Sequence, residues 1–252
     1  MLAVLLSALL FTASSYHLLP PHRLAEAPCR TTALRSTTLT ATTTATSTSL
    51  VSIAEDFINT KSGFYSPYDT NAFAEDFVFR GPVIGPLNKA DYLSTMDTFK
   101  VYKAFPDISP NAFGFSVDPM DARRVWFFVR NTGTNTGPFG LGYGLEAPPS
   151  GNAVTGVPEA FSITFDEADR VKYLSVGYVA DRFQGNTGGV GAAFGLLRVA
   201  GIPLPGGLAY RAAVALANRL PGATAKSCSA KEDVPAWWLE RSEERGPDGY
   251  NL

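Results

Sequence analysis

A chain of 252 residues, 45% hydrophobic and 17% charged, has the composition of a globular protein with a sizeable core in one or two domains. Its formal net charge of -2 leaves no electrostatic footprint for nucleic acid. The only cysteines are Cys29 and Cys228, and the only histidines are His17 and His22. If the N-terminal leader described below is removed, Cys228 alone survives. That excludes an internal disulfide, a His or multi-Cys metal site, and Ser-His or Cys-His nucleophilic catalysis. Acid-base chemistry then falls to carboxylates, Tyr or Lys, and no cofactor is expected.

Residues 1–15 open with the apolar run Leu2 to Phe11 and end in small residues, Ala13-Ser14-Ser15. The run is too short to span a bilayer and reads as a secretory h-region with its cleavage site. Residues 16–49 contain Arg23, Arg30 and Arg35 but a single acid, Glu26, and ten of the twenty residues from Thr31 to Leu50 are Thr. A hydroxylated, basic, acid-poor stretch has the composition of an organellar transit peptide. Together the two segments resemble the bipartite presequence of proteins imported into complex plastids. Secretion with a Thr-rich linker is the alternative.

The folded domain is expected over residues 50–204. Ser49 or Ser52 caps a first helix, whose apolar face holds Ile53, Phe57 and Ile58. Tyr65-Ser66-Pro67-Tyr68 breaks it. A short helix around Asp69 to Ala74 leads into a strand, Asp76 to Arg80, stopped by Gly81-Pro82. Asn88 caps a helix from Lys89 to about Ala104, with Tyr92, Met96, Phe99 and Lys103 at helical spacing. Strands follow at Phe113 to Val117 and Val125 to Arg130. A Thr/Gly turn (Thr132 to Phe139) and a loop ending Pro148-Pro149-Ser150-Gly151 come next, then strands Phe161 to Phe165 and Val171 to Ala180, and Asp181. Helices segregated from consecutive strands predict an α+β arrangement.

The segment Val125 to Asp181 resembles the second half of a SnoaL-like polyketide-cyclase domain, a branch of the NTF2-like superfamily. The family order there is roughly G-T-H-T-G-x-F, then P-P-T-G, then strand, turn, strand and D. The usual His is Asn135 here. The resemblance covers about Val51 to Leu204. It implies an NTF2-like cone, a curved antiparallel sheet wrapped around helices, with a pocket for a small hydrophobic molecule.

By the same resemblance, Asp181 is the general acid/base of an intramolecular aldol closure. A carboxylate in an apolar pocket has its pKa raised, which makes it a better base. The alternative is a strand-end Asp that pairs with Arg182 or caps the following segment. Asn135 would donate a hydrogen bond to a developing enolate oxygen, or merely turn the backbone. Arg130 would hold an acidic substrate, or form a surface pair. Trp126 and Phe128 share one strand face and Val125, Phe127 and Val129 the other; both sets are apolar, so periodicity does not tell which lines a pocket. With Tyr92, Phe99 and Tyr178 they are candidate ligand-wall residues or plain core. A non-catalytic ligand carrier and an assembly module, forming a homodimer or docking through the sheet and Trp237-Trp238, are the competing functions on this fold.

Residues 205–252 are expected to form a helical extension and tail, with an Ala-rich helix from Leu208 to Leu220. Breaks and spaced arginines make each piece of 188–220 too short for a membrane span. Packing against the domain is expected there, with membrane-surface contact as the alternative.

Overall fold

The computed structural model describes residues 42–142, 144–202 and 225–243. The presequence before Thr42 and the expected helix at Leu208 to Leu220 lie outside the described residues. Helix α1 (Thr42–Asp56) starts inside the Thr-rich stretch, earlier than residue 50, and continues into a π-turn, Phe57–Lys61. Leu50, Ala54, Phe57 and Ile58 are its buried face, at spacings of four, three and one. A 3-10 turn (Thr70–Ala72), capped by the Asp69 side chain, leads into β1 (Phe73–Arg80) and the short β2 (Leu87–Asn88).

Asn88 caps α2 (Lys89–Phe99), accepting the Asp91 N–H at 2.9 Å. The single helix expected through Ala104 is two. Lys100 takes a left-handed φ of 42°, ends α2, and opens a one-turn α3 (Val101–Ala104). That break swings Val101 and Ala104 into a second apolar cluster with Phe105 and Phe139.

The long strands are β3 (Phe113–Asp118), β4 (Asp121–Val129), β9 (Glu159–Phe165) and β10 (Val171–Val179). Between them lie short pieces, β5 (Thr132–Thr134), β6 (Phe139–Gly142), β7 (Leu145–Ala147) and β8 (Ala153–Thr155). The main sheet has six strands in the order β2-β1-β10-β9-β4-β3. The expected α+β class is found, but the sheet is mixed: β1 runs parallel to β10, and the other neighbours are antiparallel. The helices pack on one face, α1 against β3 and β4, α2 against β1 and β2. Val125, Phe127, Val129, Phe161, Ile163 and Leu174 point into that core.

Helix α4 (Ala192–Val199) closes against the second cluster through Leu196, Leu197 and Val199. The last helix, α5 (Ala236–Glu243), lies on the opposite sheet face. Trp238 meets Tyr173 with ring centroids 5.0 Å apart, and Trp237 donates its indole N–H to the Asp76 carbonyl at 3.0 Å. The Trp237-Trp238 patch read from the sequence as a docking element is therefore folded onto the chain's own sheet. Among the described residues no helix is long and apolar enough to cross a membrane.

Candidate functional site

One internal carboxylate stands out. Glu159 is the first residue of β9, opposite Val129 on β4 and Val179 on β10. Side chains alternate along a strand, so Glu159 shares the core face with Phe161, Ile163 and Phe165. It is 1% exposed. Its Oε2 accepts the Ala192 N–H at 2.7 Å, at the start of α4. Among the described residues no cation pairs with it and no hydrogen bond engages Oε1. Burial pushes its carboxyl up to about 7, against the smaller lowering effect of the Ala192 N–H.

Two further polar side chains share this end of the core. Tyr65, just past the π-turn, is buried and donates its hydroxyl proton to Asn131 Oδ1 at 2.7 Å. Burial first, then the nearby Glu159 charge, hold the Tyr65 phenol well above its ordinary range, so it stays a neutral donor. Asn131 is 2% exposed and lies two residues beyond Val129, in phase with the inward residues of β4. Its backbone carbonyl accepts the Gly156 N–H. Its Nδ2 group has no partner among the described residues.

Glycines make the cradle of the carboxylate. A Cβ on Gly191 would stand 2.7 Å from Glu159 Oε2 and 2.8 Å from its Cδ. Gly177, at φ 80°, forms a bulge where Val176 and Gly177 on β10 face a single residue of β9, between the pairs Ser175–Ser162 and Tyr178–Ala160.

The end of β10 decides where Asp181 goes. Tyr173 and Ser175 lie on the outer sheet face, where Tyr173 meets Trp238, and the bulge reverses the phase so that Val179 pairs with Glu159 on the core side; but the strand stops at Val179, and the chain turns before Asp181. Asp181 is partly exposed. Its Oδ1 accepts the Phe183 N–H at 3.0 Å and its Oδ2 the Gln184 side-chain amide at 2.8 Å. Those bonds hold its carboxyl below the usual range, with a smaller contribution from the Arg130 charge. It caps the following turn, which is the opposite of the desolvated environment that the sequence reading required of a base.

The remaining candidates are dispersed. Asn135 is fully buried and builds structure: Nδ2 donates to the Ala104 and Gly137 carbonyls at 3.0 and 3.1 Å, and Oδ1 accepts the Ser150 N–H at 2.8 Å. Arg130 follows β4 out of phase with the core residues and is half-buried. Trp126 and Phe128 lie on the outer sheet face, 37% and 38% exposed. There Trp126 carries the Arg124 guanidinium 4.2 Å from its ring, and Phe128 stacks on Phe113. Tyr178 shares that outer surface. Tyr92 is core: its hydroxyl donates to the Ser62 carbonyl at 2.8 Å, and its ring meets Phe73, Phe77 and Phe79. Phe99 packs on Phe139 in the second cluster.

Glu159 was missed because Pro158-Glu159-Ala160 reads as the loop before Phe161. Carrying the alternation of Phe161, Ile163 and Phe165 back by one step would have put a carboxylate in phase with three core residues. Among the described residues no three His, Cys, Asp or Glu side chains are grouped to hold a metal ion.

No family model matches the chain, and no curated protein matches it significantly. Solved structures do. A protein from Jannaschia sp. described as a SnoaL-like polyketide cyclase matches at 16% identity and a TM-score of 0.43, covering 62% of this chain and 94% of that one. A phenazine biosynthesis-related protein from Pseudomonas aeruginosa matches at 14% identity and 0.40, covering 68% of this chain and 91% of that one. An NTF2-like protein from Anabaena variabilis matches at 14% identity and 0.39, covering 58% and 97%. These likenesses, at low identity, are to proteins described as SnoaL-like polyketide cyclases and as NTF2-like.

Proposed function

We propose that this chain is a small acid-base enzyme for an apolar, carbonyl-bearing molecule, with Glu159 as the group that takes and returns the proton. One observation carries the reading: a carboxylate 1% exposed, facing an apolar core, with no cation paired to it among the described residues. Such a group costs stability wherever it is charged, and a fold that keeps it has a use for it. With its pKa raised to about 7, it is near half-ionised at neutral pH. That is where a general base and its conjugate acid work best.

The step is a proton transfer. The Glu159 carboxylate removes a hydrogen from the carbon next to a carbonyl. The C–H electron pair becomes the carbon–carbon double bond and the carbonyl π pair moves onto the oxygen, giving an enolate. The enolate carbon then either takes the proton back from Glu159 or attacks an internal carbonyl carbon, whose π pair moves to its oxygen and takes the Glu159 proton there; either way Glu159 returns to its carboxylate. Isomerisation and ring closure both follow from this one step. The first expectation, Asp181 as the base, gives way here to Glu159 because Asp181 is partly exposed and two hydrogen-bond donors engage its oxygens.

The test is hydrogen exchange. Small hydrophobic ketones incubated with the protein in D2O are followed by NMR for loss of the α-hydrogen signal. The wild type accelerates exchange and Glu159→Gln loses about a hundredfold or more of that rate. Equal exchange in both would sink the assignment, and ligand binding without exchange would make the protein a carrier.

A further inference from the structure

We infer that Asn131 is the residue that binds the carbonyl oxygen of the substrate, and that Tyr65 holds its amide in the orientation to do so. This rests on the reading of Glu159 above and narrows the substrate class. Asn131 and Glu159 stand on adjoining strand ends, both in phase with the core, at 2% and 1% exposure. Buried polar groups are ordinarily satisfied. Here a donor, Asn131 Nδ2, and an acceptor, Glu159 Oε1, both lack a partner among the described residues.

A ligand that satisfies both carries an acceptor oxygen beside an acidic hydrogen. A ketone or ester with a hydrogen on the neighbouring carbon has that pattern, with the rest of its body apolar to match Val129, Phe161 and Val179. The amide orientation is fixed by its own contacts. The Tyr65 hydroxyl donates to Oδ1, so Nδ2 is the end left over. The Gly156 N–H fixes the Asn131 backbone through its carbonyl. As the enolate forms, negative charge grows on the oxygen facing Nδ2, so the hydrogen bond strengthens as the step proceeds.

The probe is para-nitrophenolate, whose charged oxygen on a flat apolar ring imitates an enolate and whose absorbance changes on binding. Nitrobenzene, which lacks that oxygen, is the control. The folded wild type binds the phenolate, most tightly when Glu159 carries its proton. Asn131→Asp, which keeps the acceptor for Tyr65 and removes the donor, weakens phenolate binding by about ten- to a hundredfold and leaves nitrobenzene binding unchanged. Tyr65→Phe weakens it in the same selective way and carries the test if Asn131→Asp does not fold.

Equal losses for phenolate and nitrobenzene would make Asn131 structural and overturn the inference. So would unchanged binding in both variants, or no phenolate binding by the folded wild type. Glu159→Gln separates the two readings. It should abolish the pH dependence of phenolate binding that is due to Glu159. If that dependence is lost while both variants bind normally, Glu159 stands and Asn131 falls. If Glu159→Gln leaves the pH profile unchanged, the reading of Glu159 itself fails.

Discussion

Glu159 Oε2 and the Ala192 backbone N–H are joined at 2.7 Å, which ties a core carboxylate on β9 to the first residue of α4. Ala192 makes this bond in a left-handed conformation, φ 48°, which costs an L residue roughly 1–2 kcal/mol. The bond also fails to offset burial, since the Glu159 carboxyl still rises to about 7. Both residues therefore hold an arrangement that neither would choose alone.

The first expected outcome concerns stability and pH. Glu159 has a folded pKa of about 7 against an ordinary 4.5. Between those values the folded state binds more protons than the unfolded state, so stability falls as pH rises through that window and levels off above it. The full effect is about 3 kcal/mol. Urea melts from pH 5 to 8 should show this decline, and Glu159→Gln should flatten it and be the more stable form at pH 8.

Gly191→Ala tests the cradle. Gly191 has an ordinary φ of -97°, so alanine is allowed by the backbone and only space is at issue. The new methyl would meet the Glu159 carboxylate at 2.7 Å and Val179 Cγ2 at 3.1 Å. A loss of roughly 1–3 kcal/mol is expected from overpacking. The pH profile of exchange should move with it, because the carboxylate must shift. An unchanged profile would mean that Gly191 does not set its position.

Asn135→Ala is expected to be a folding defect. It strips partners from two backbone carbonyls and one N–H at a fully buried position, at a cost of roughly 2 kcal/mol or more. Asn135→His, which restores the residue of the resembled family, should lower the melting temperature too and add no exchange activity. Gain of activity in the His variant would return this position to the site.

Asp181→Asn should leave the exchange rate as it is. The carboxylate accepts from Phe183 and Gln184 in a solvent-facing turn, and the amide oxygen can keep one of those bonds. A large loss of rate with an unchanged melting curve would restore Asp181 to the mechanism.

Local pattern carried much of the architecture. The spacing of Tyr92, Met96 and Phe99, the cap at Asn88, and the strands at Phe113, Val125, Phe161 and Val171 were all readable, because periodicity records which side chains meet the core. The left-handed break at Lys100 was not readable, since the helical pattern runs straight through it. Nor was the parallel pairing of β1 with β10, which joins segments about ninety residues apart and depends on the path of the chain between them.

The site divides the same way. Residue type alone confined acid-base chemistry to carboxylates, Tyr and Lys. It could not say which carboxylate loses its water. The strand β10 stops at Val179, so Asp181 falls in the turn beyond it and stays partly exposed, while the pairing of Glu159 with Val129 and Val179 turns that side chain inward. Arg130 and Asn131 are neighbours in sequence, yet strand phase puts the second, not the first, beside the core. A carboxylate's pKa depends on the water and charge around it, and those are set by strand register and by what packs above the strand, here α4.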